Sequence, residues 1–428
     1  MLGRRVAIIA GVRTPFARAG TLFKGLSAID LGKRCVAELI QRTNLDGDLV
    51  EAIVYGTVVP SVTAPNIARE VSLMPMLPRG CEAYTVSRAC ASANQAITDA
   101  VDQIALGNRD IVIAGGAESL SNVPILHSRG MSDKLVALSR AKSAAGRVKI
   151  LSSVRPRDLV PITPAIAEPS TGETMGQSAE KMSKLNHISR EDQDQFALRS
   201  HRLASVGSED GRLTAEIGPV WVPPSYEPGV SSDNGIRTDS TIEALRALKP
   251  VFDKRYGSVT AGNSSPLTDG ASAVLLMSEE RARVLGYTPL AFIRSYAYSA
   301  LDPGEQLLMG PVLAAPVALH RAGVTLANID LIEMHEAFAA QVLSNLDGFE
   351  SRYWAERAGF PEPVGAVDRS RLNVMGGSIA IGHPFGATGG RILMTLTNEL
   401  VRRGGQLGLM TVCAAGGMGH AMVIERAA

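Results

Sequence analysis

The stretch EAYTVSRACASANQAITDAVDQIALGNRDIVIAGGAES, residues 82–119, decides the architecture. EAYTVS has the composition of a strand. From Cys90 onward Ala93, Ile97, Val101 and Ile104 share one helical face, Gly107 offers a stop, and IVIAGGAES returns as a strand. Strand, helix and strand in that order are the grammar of an α/β layer fold, and a mostly parallel sheet is expected. Upstream, RRVAIIAGVRTPF (4–16) sets two arginines before an apolar stretch that is short and meets Arg13 instead of small residues. It reads as a first strand and not as a cleaved leader.

The last third repeats the pattern. LNVMGG (372–377) is strand-like, Ile392, Leu393, Leu396 and Leu400 form a helix stripe ended by Gly404 and Gly405, and QLGLMTVCAAGG (406–417) returns as a strand. Two similar halves follow, 1–279 and 286–428, with a site where helix N-termini and loops of both converge. Between them, roughly 120–255 is richer in polar and turn residues and reads as an inserted lobe; within it Ser189 and Asp192 mark a helix start. Residues 132–158 carry Lys134, Arg140, Lys142, Arg147, Lys149, Arg155 and Arg157 against Asp133 and Asp158, with apolar residues at helical spacings. That is a basic amphipathic patch.

Composition narrows the class. A chain of 428 residues that is 45% hydrophobic can fill two or three cores. Its 43 basic and 42 acidic side chains nearly cancel, which gives no footprint for nucleic acid. The four cysteines include no CxxC pair, arguing against a zinc site or disulfide framework and for a reducing compartment, with thiols free to react. No run of 18 apolar residues could span a bilayer.

Three side chains can carry chemistry. Cys90 sits at a strand-to-helix turn, where the dipole and free N–H groups are expected to lower a thiol pKa and to receive an oxyanion. His383 lies in the Gly/Pro-rich turn IAIGHPFGATGG (379–390) at the corresponding junction of the second half, where a base could face the nucleophile. Cys413 leaves a strand into a glycine-rich loop that lets backbone approach a ligand. The remaining cysteines, Cys35 and Cys81, and the histidines 127, 187, 201, 320 and 420 read as structural.

Taken together, the ordered segments VSRACASANQA, GGAESLSNVP, TMGQSAEKM with ISREDQDQFA, GSVTAGNSSPLTDGASAVLLMSE, IDLIEMHEAFAAQ, MGGSIAIGHPFGATGGR and CAAGGMGHAM resemble the thiolase family over nearly the whole chain. The resemblance implies a five-layered αβαβα fold with an inserted loop domain. It implies thiolytic cleavage of a 3-oxoacyl-CoA by coenzyme A, with CoA as substrate, no permanently bound cofactor and no metal. Cys90 would carry the acyl group, His383 would take its proton, and Cys413 would shuttle the proton at the substrate α-carbon. One oxyanion site would be His383 with a water held by His335; the other would be the backbone N–H groups of Cys90 and Ala415, each donor worth about 3–4 kcal/mol. Ser265 matches a serine that touches pantetheine, and Met175 lies in a motif near the substrate.

Two departures accompany the match. The family more often has asparagine at His335 and glycine at Ala415; His335 adds a titratable group to the oxyanion site, which is expected to become pH-sensitive. These residues, with NVPILHSRGMSDKL (122–135), are similar to the β-subunit of the fatty-acid oxidation trifunctional complex and its bacterial relatives. That branch implies a degradative role in β-oxidation and an α-subunit partner, and the family a dimer or tetramer; the basic patch at 132–158 suits contact with that subunit, peripheral contact with a membrane face, or both, and a cytoplasmic location is expected. A biosynthetic acetoacetyl-CoA thiolase is the alternative. A decarboxylating 3-oxoacyl synthase would have no use for Cys413, and a non-catalytic binding protein would have no use for all three groups.

Overall fold

Alternate side chains of the first strand enter two different cores: Val6 and Ile8 join one, Ala7 and Ile9 the other. The period of two makes this strand a wall between layers, not a surface. A computed structural model describes residues 3–162 and 167–427. The first third runs β1 (Val6–Arg13), β2 (Ala17–Arg18), α1 (Ala28–Thr43), β3 (Ala52–Gly56), α2 (Ile67–Ser72), β4 (Glu82–Val86), α3 (Ser92–Ala105) and β5 (Ile111–Glu118). The middle holds α4 (Arg129–Arg140), α5 (Ala144–Ser152), α6 (Pro156–Leu159), α7 (Met175–Leu185), α8 (Arg190–Glu209) and α9 (Ile242–Arg246). Next come β6 (Thr268–Ser278), α10 (Glu279–Val284), β7 (Ala291–Ala300), α11 (Gly310–Ala322), β8 (Leu331–Met334), α12 (Ala339–Phe349) and α13 (Arg352–Arg357). The chain closes with α14 (Ser378–Ile381), α15 (Thr388–Arg403), β9 (Leu407–Ala414) and β10 (Met418–Arg426).

Three cores order these elements into five layers. One outer core joins α1 and α2 to β1, β3, β5 and β6 through Leu31, Val36, Val71, Ile53, Ile113 and Leu275. The opposite faces of these strands meet α3 and α15 in a central core, through Val112, Val274, Ile97, Val101, Ile392 and Leu396. That core also takes Met410, Val412, Met422 and Ile424 from β9 and β10. The other faces of β9 and β10, with Leu409 and Val423, close a third core against α11 and α12. Helix, sheet, helix, sheet and helix follow in turn, with α3 and α15 in the middle.

The strands lie in the order β4-β3-β5-β6-β1-β7-β10-β9-β8, with β2 on β6. The expectation of a mostly parallel sheet is corrected here. Only β3 with β4, β3 with β5, and β8 with β9 are parallel; β1, β6, β7 and β10 pair antiparallel. The cause is connectivity. Parallel neighbours need a crossover, whereas β9 and β10 are joined through Ala415, Gly416 and Gly417 alone and must run antiparallel. β6 enters after the long middle segment, so no single crossover helix fixes its direction.

LNVMGG is a second correction, since it forms isolated bridges and no strand. Asn373 takes φ +46° and Gly376 φ +69°, which turns the chain out of an extended path. The Asn373 amide replaces the missing backbone pairing, accepting from Met334 N–H at 2.8 Å and donating to Met334 C=O at 2.9 Å.

The middle of the chain divides differently from the expected lobe. Val123–Ala167 forms a compact unit of its own, while Glu168 onward belongs with the first 122 residues and the C-terminal half. The reason is hydrophobic: α7 and α8 contribute Ala179, Met182, Phe196, Ala197 and Leu198 to the third core. Within the smaller unit, Ser128 caps α4, Ser143 caps α5, and Lys134 pairs with Asp158. Neither α4 nor α5 buries a residue; Leu135, Val136, Val148 and Leu151 stay exposed.

Gly116 marks the tightest approach of β5 to the second half, because a Cβ there would lie 1.9 Å from Gly386 O and 2.6 Å from Gly56 O. Gly116→Ala should therefore lose about 1–3 kcal/mol of stability through overpacking. Thermal denaturation against wild type checks this; an unchanged midpoint would contradict the packing.

Candidate active site

Cys90 is held in a strained turn between β4 and α3. Ala89 takes φ +45°, a left-handed conformation costly for a residue with a Cβ. Ser92 fixes the turn, its hydroxyl accepting from Arg88 N–H at 2.8 Å and donating to Ala89 C=O at 2.6 Å. No side chain caps the N-terminus of α3; Ser92 N–H donates instead to Ala89 C=O at 3.0 Å.

His383 reaches the thiol from the loop before α15. Its Nε2 lies 3.2 Å from Cys90 Sγ, and its Nδ1 lies 2.6 Å from Thr388 Oγ1. The Thr388 hydroxyl donates to Pro384 C=O at 3.0 Å, so toward His383 it accepts. That fixes the proton of the neutral imidazole on Nδ1 and leaves the Nε2 lone pair facing sulfur. Burial, followed by the nearby Arg391 cation, depresses the His383 pKa to about 3. The ring is a neutral base at physiological pH.

The thiol state differs from the sequence expectation. Burial pushes Cys90 up to about 11; hydrogen bonds from the Ala415 and Cys90 backbone N–H groups oppose this, and the Glu118 charge adds to it. Desolvation thus outweighs the helix start, and the free enzyme holds a thiol at neutral pH. The two N–H groups that reach this sulfur are the pair expected to form the backbone oxyanion site. They converge because Ala415 opens the β9–β10 turn, where Gly416 and Gly417 take φ +84° and +68°. A Cβ at Gly417 would strike Leu301 C=O at 2.3 Å, and Gly416 N–H is tied to the Glu168 carboxylate at 2.8 Å.

His335 packs against His383 with ring centroids 4.2 Å apart. Its Nδ1 meets Ser378 Oγ at 3.1 Å, while Nε2 is buried without a partner. Burial, His383 and Arg391 all hold its pKa well below the usual range, which corrects the expectation of a pH-sensitive oxyanion site. Glu336 next door anchors the loop, accepting from Ser200 Oγ at 2.7 Å and Asn373 Nδ2 at 2.7 Å. The ligand atoms of Cys90, His335 and His383 lie within 4.8 Å of one another, so a soft cation could bridge them. Yet both Nδ1 atoms face hydroxyls, and no carboxylate or carbonyl orients either ring as it would at a typical metal centre. The set is suited to moving a proton between nitrogen and sulfur.

Cys413 is buried near the end of β9, its thiol raised well above the usual range by burial and by proximity to Cys90. Ser265 lies beside the site, its N–H donating to Ala337 C=O at 2.9 Å, while the next residue, Pro266, accepts from His383 N–H at 3.2 Å. Its neighbours Ser264 and Pro266 line a groove of about 260 Å³ with Arg18, His201, Arg237 and Ile379. Met175 begins α7 outside that lining and packs against the third core, as do Phe252 and Phe338, a T-shaped pair with centroids 6.1 Å apart.

Several site residues escaped the sequence reading. Glu118 ties two loops together, accepting from Val58 N–H, Val59 N–H and Thr57 Oγ1 on one side and Gly386 N–H on the other. Burial raises it to about 7. The available signal was a carboxylate closing an otherwise apolar strand. Arg18 and Arg237 line the groove together with Asp239, and burial, followed by the Arg237 charge, lowers the Arg18 pKa. His201, read as structural, lines the same groove, accepts from Arg237 N–H at 3.2 Å, and is lowered to about 4 by burial and the two arginines.

Comparison with known proteins agrees with this geometry. Residues 6–280 match the thiolase N-terminal domain and residues 287–426 the thiolase C-terminal domain. The chain is 50% identical to 3-ketoacyl-CoA thiolases of Pectobacterium carotovorum and Yersinia pestis over 424 residues, covering 99% of this chain and 97% of each relative. Among solved structures, Bacillus anthracis acetyl-CoA acetyltransferase superposes with a TM-score of 0.85 at 32% identity. Human mitochondrial 3-ketoacyl-CoA thiolase superposes with a TM-score of 0.84 at 31% identity, and both superpositions cover the full length of each chain. Two domain matches that together span the chain, on a fold that joins a cysteine of one half to a histidine of the other, place this protein in the thiolase family.

Proposed function

We propose that the protein is a 3-ketoacyl-CoA thiolase working in fatty acid β-oxidation, and that Cys90, His383 and Cys413 carry the reaction. The carrying observation is the 3.2 Å contact of His383 Nε2 with Cys90 Sγ, with the imidazole proton on the far nitrogen. His383 takes the thiol proton as sulfur attacks the 3-carbonyl, because neither group is charged beforehand. The oxyanion formed there is received by the N–H groups of Cys90 and Ala415. Cleavage of the bond between C2 and C3 leaves an acyl group on Cys90 and the enolate of acetyl-CoA. Cys413 delivers its proton to the α-carbon of that enolate, whose oxygen is met by His383 and His335. The Cys413 thiolate then deprotonates incoming CoA, which attacks the acyl group. Cys90 leaves as thiolate and regains its proton from His383.

Both substrates are thioesters or thiols of CoA, so no other cofactor is required. The groove beside Ser265, with Arg18 and Arg237, suits the phosphates of CoA, and Met175 is assigned to the neighbourhood of the substrate on the strength of its motif. The halves 1–279 and 286–428 each supply one member of the Cys90–His383 pair, which is the functional reason for the duplication. The exposed edge of β4 suits pairing with a second copy of the chain, giving the expected dimer. For residues 132–158 we propose contact with an acidic partner subunit, since apolar side chains are exposed there among basic ones.

Three outcomes test this reading. Cys413→Ser should still accept an acyl group on Cys90 from a pre-formed thioester but lose exchange of the acetyl-CoA α-proton, because a hydroxyl is far too weak an acid; normal exchange would move that role elsewhere. Alkylation of Cys90 by iodoacetamide should climb by about tenfold per pH unit from pH 7 to 9, since the pKa is raised and the reactive thiolate is scarce below it. A plateau in that range would mean a pre-formed imidazolium–thiolate pair. Changing Arg140, Lys142, Arg147 and Lys149 to glutamate should leave thiolysis by the isolated enzyme intact and abolish salt-sensitive co-purification with a hydratase/dehydrogenase subunit. Loss of liposome sedimentation alone would point to lipid instead.

A further inference from the structure

We propose that Ser378, held by Arg391, fixes the tautomer of His335 so that its Nε2–H is presented to the reacting oxygen. The inference rests on the thiolase reading and on His335 as an oxyanion donor, and adds two positioning residues to it. His335, Ser378 and Arg391 are all almost wholly buried, so bulk water cannot repair a misplaced proton. Arg391 Nη2 donates to Ser378 Oγ at 2.9 Å, and the same oxygen lies 3.1 Å from His335 Nδ1.

The direction of the chain follows from counting protons. A guanidinium only donates, so Ser378 Oγ accepts from Arg391. The hydroxyl has one proton of its own, and among the described residues the acceptor it meets is His335 Nδ1. With Nδ1 accepting, the proton of the neutral ring must sit on Nε2, the buried and unpartnered atom of a ring that packs 4.2 Å from His383. The reverse arrangement would leave the Ser378 proton unpaired in the interior and turn a lone pair toward an oxygen that becomes negative. That would oppose catalysis where the first arrangement supports it.

Arg391 is itself held in place. Its Nη1 lies 3.7 Å from the Glu333 carboxylate, and it projects from α15, the helix that follows the His383 loop. One buried cation thus orders the His335 hydroxyl partner and helps keep both catalytic-site histidines neutral. A serine here is useful because His335 is a histidine; an asparagine presents its N–H group without a tautomer to choose.

A double-mutant cycle tests the proposal. By analogy with groups that orient metal-bound histidines, Ser378→Ala should lower kcat by about 10- to 100-fold. KM and the alkylation rate of Cys90 should hardly change, and Ser378→Thr should restore kcat. In a His335→Asn background the same Ser378→Ala change should cost less than about twofold, because the two residues act as one unit. Equal losses in both backgrounds would mean that Ser378 merely packs, and no loss in the wild-type background would also overturn the proposal. If His335→Asn proves inactive, nitrogen NMR of ¹⁵N-histidine enzyme decides directly: His335 should show bare Nδ1 and protonated Nε2 in wild type and lose that pattern in Ser378→Ala. A wild-type kcat in His335→Ala would instead remove the donor role itself, a result distinct from failure of the tautomer argument.

Discussion

The structure depends on one contact across 293 residues of sequence, from His383 Nε2 to Cys90 Sγ. A thiol at neutral pH is a poor nucleophile, and desolvation makes this half-buried one poorer still. Only a base aligned with it and a pair of N–H groups ready for the charge can make it react. The fold meets this requirement by placing α3 and α15 side by side in the central layer, each preceded by one of the two partners.

Burial is the second constraint, and it sets charge states that a linear reading misjudges. Cys90 is raised, His383 and His335 are lowered, and Glu118 is raised toward neutrality, in each case chiefly by desolvation. Cys90, His335 and His383 are therefore neutral in the free site, beside the buried Arg391 cation. Charge appears only when a substrate is present to share it, where fixed N–H groups act most strongly. The groove with Arg18 and Arg237 adjoins this pocket through Pro266 and, on the proposed reading, takes the charged end of the ligand.

The sequence was most informative where local patterns carry chemistry. Cys90, His383 and Cys413 were legible because each stands at an element end beside glycine or small residues, and the helix stripes of α3 and α15 were legible by period. Strand direction was not, since an antiparallel β6 is decided by a connection through more than a hundred residues of other structure. Asn373 hid a turn inside a strand-like run, because its amide imitates backbone pairing. The N-cap dipole at Cys90 was a sound local argument that lost to burial, a tertiary quantity. His201, Ser378 and Arg391 had no local signature, and Glu118 had only that of a carboxylate closing an apolar strand; their meaning comes from neighbours distant in sequence.

The atom that bonds to the acyl group is Cys90 Sγ in the proposed reaction. Wild-type enzyme quenched in acid during turnover of a 3-oxoacyl-CoA, digested and mapped by mass spectrometry, reads that bond directly. The acyl mass should appear on the peptide containing Cys90, shortened by two carbons relative to the substrate chain. Acylation of Cys413, or no acyl cysteine at any point in the turnover, would contradict it.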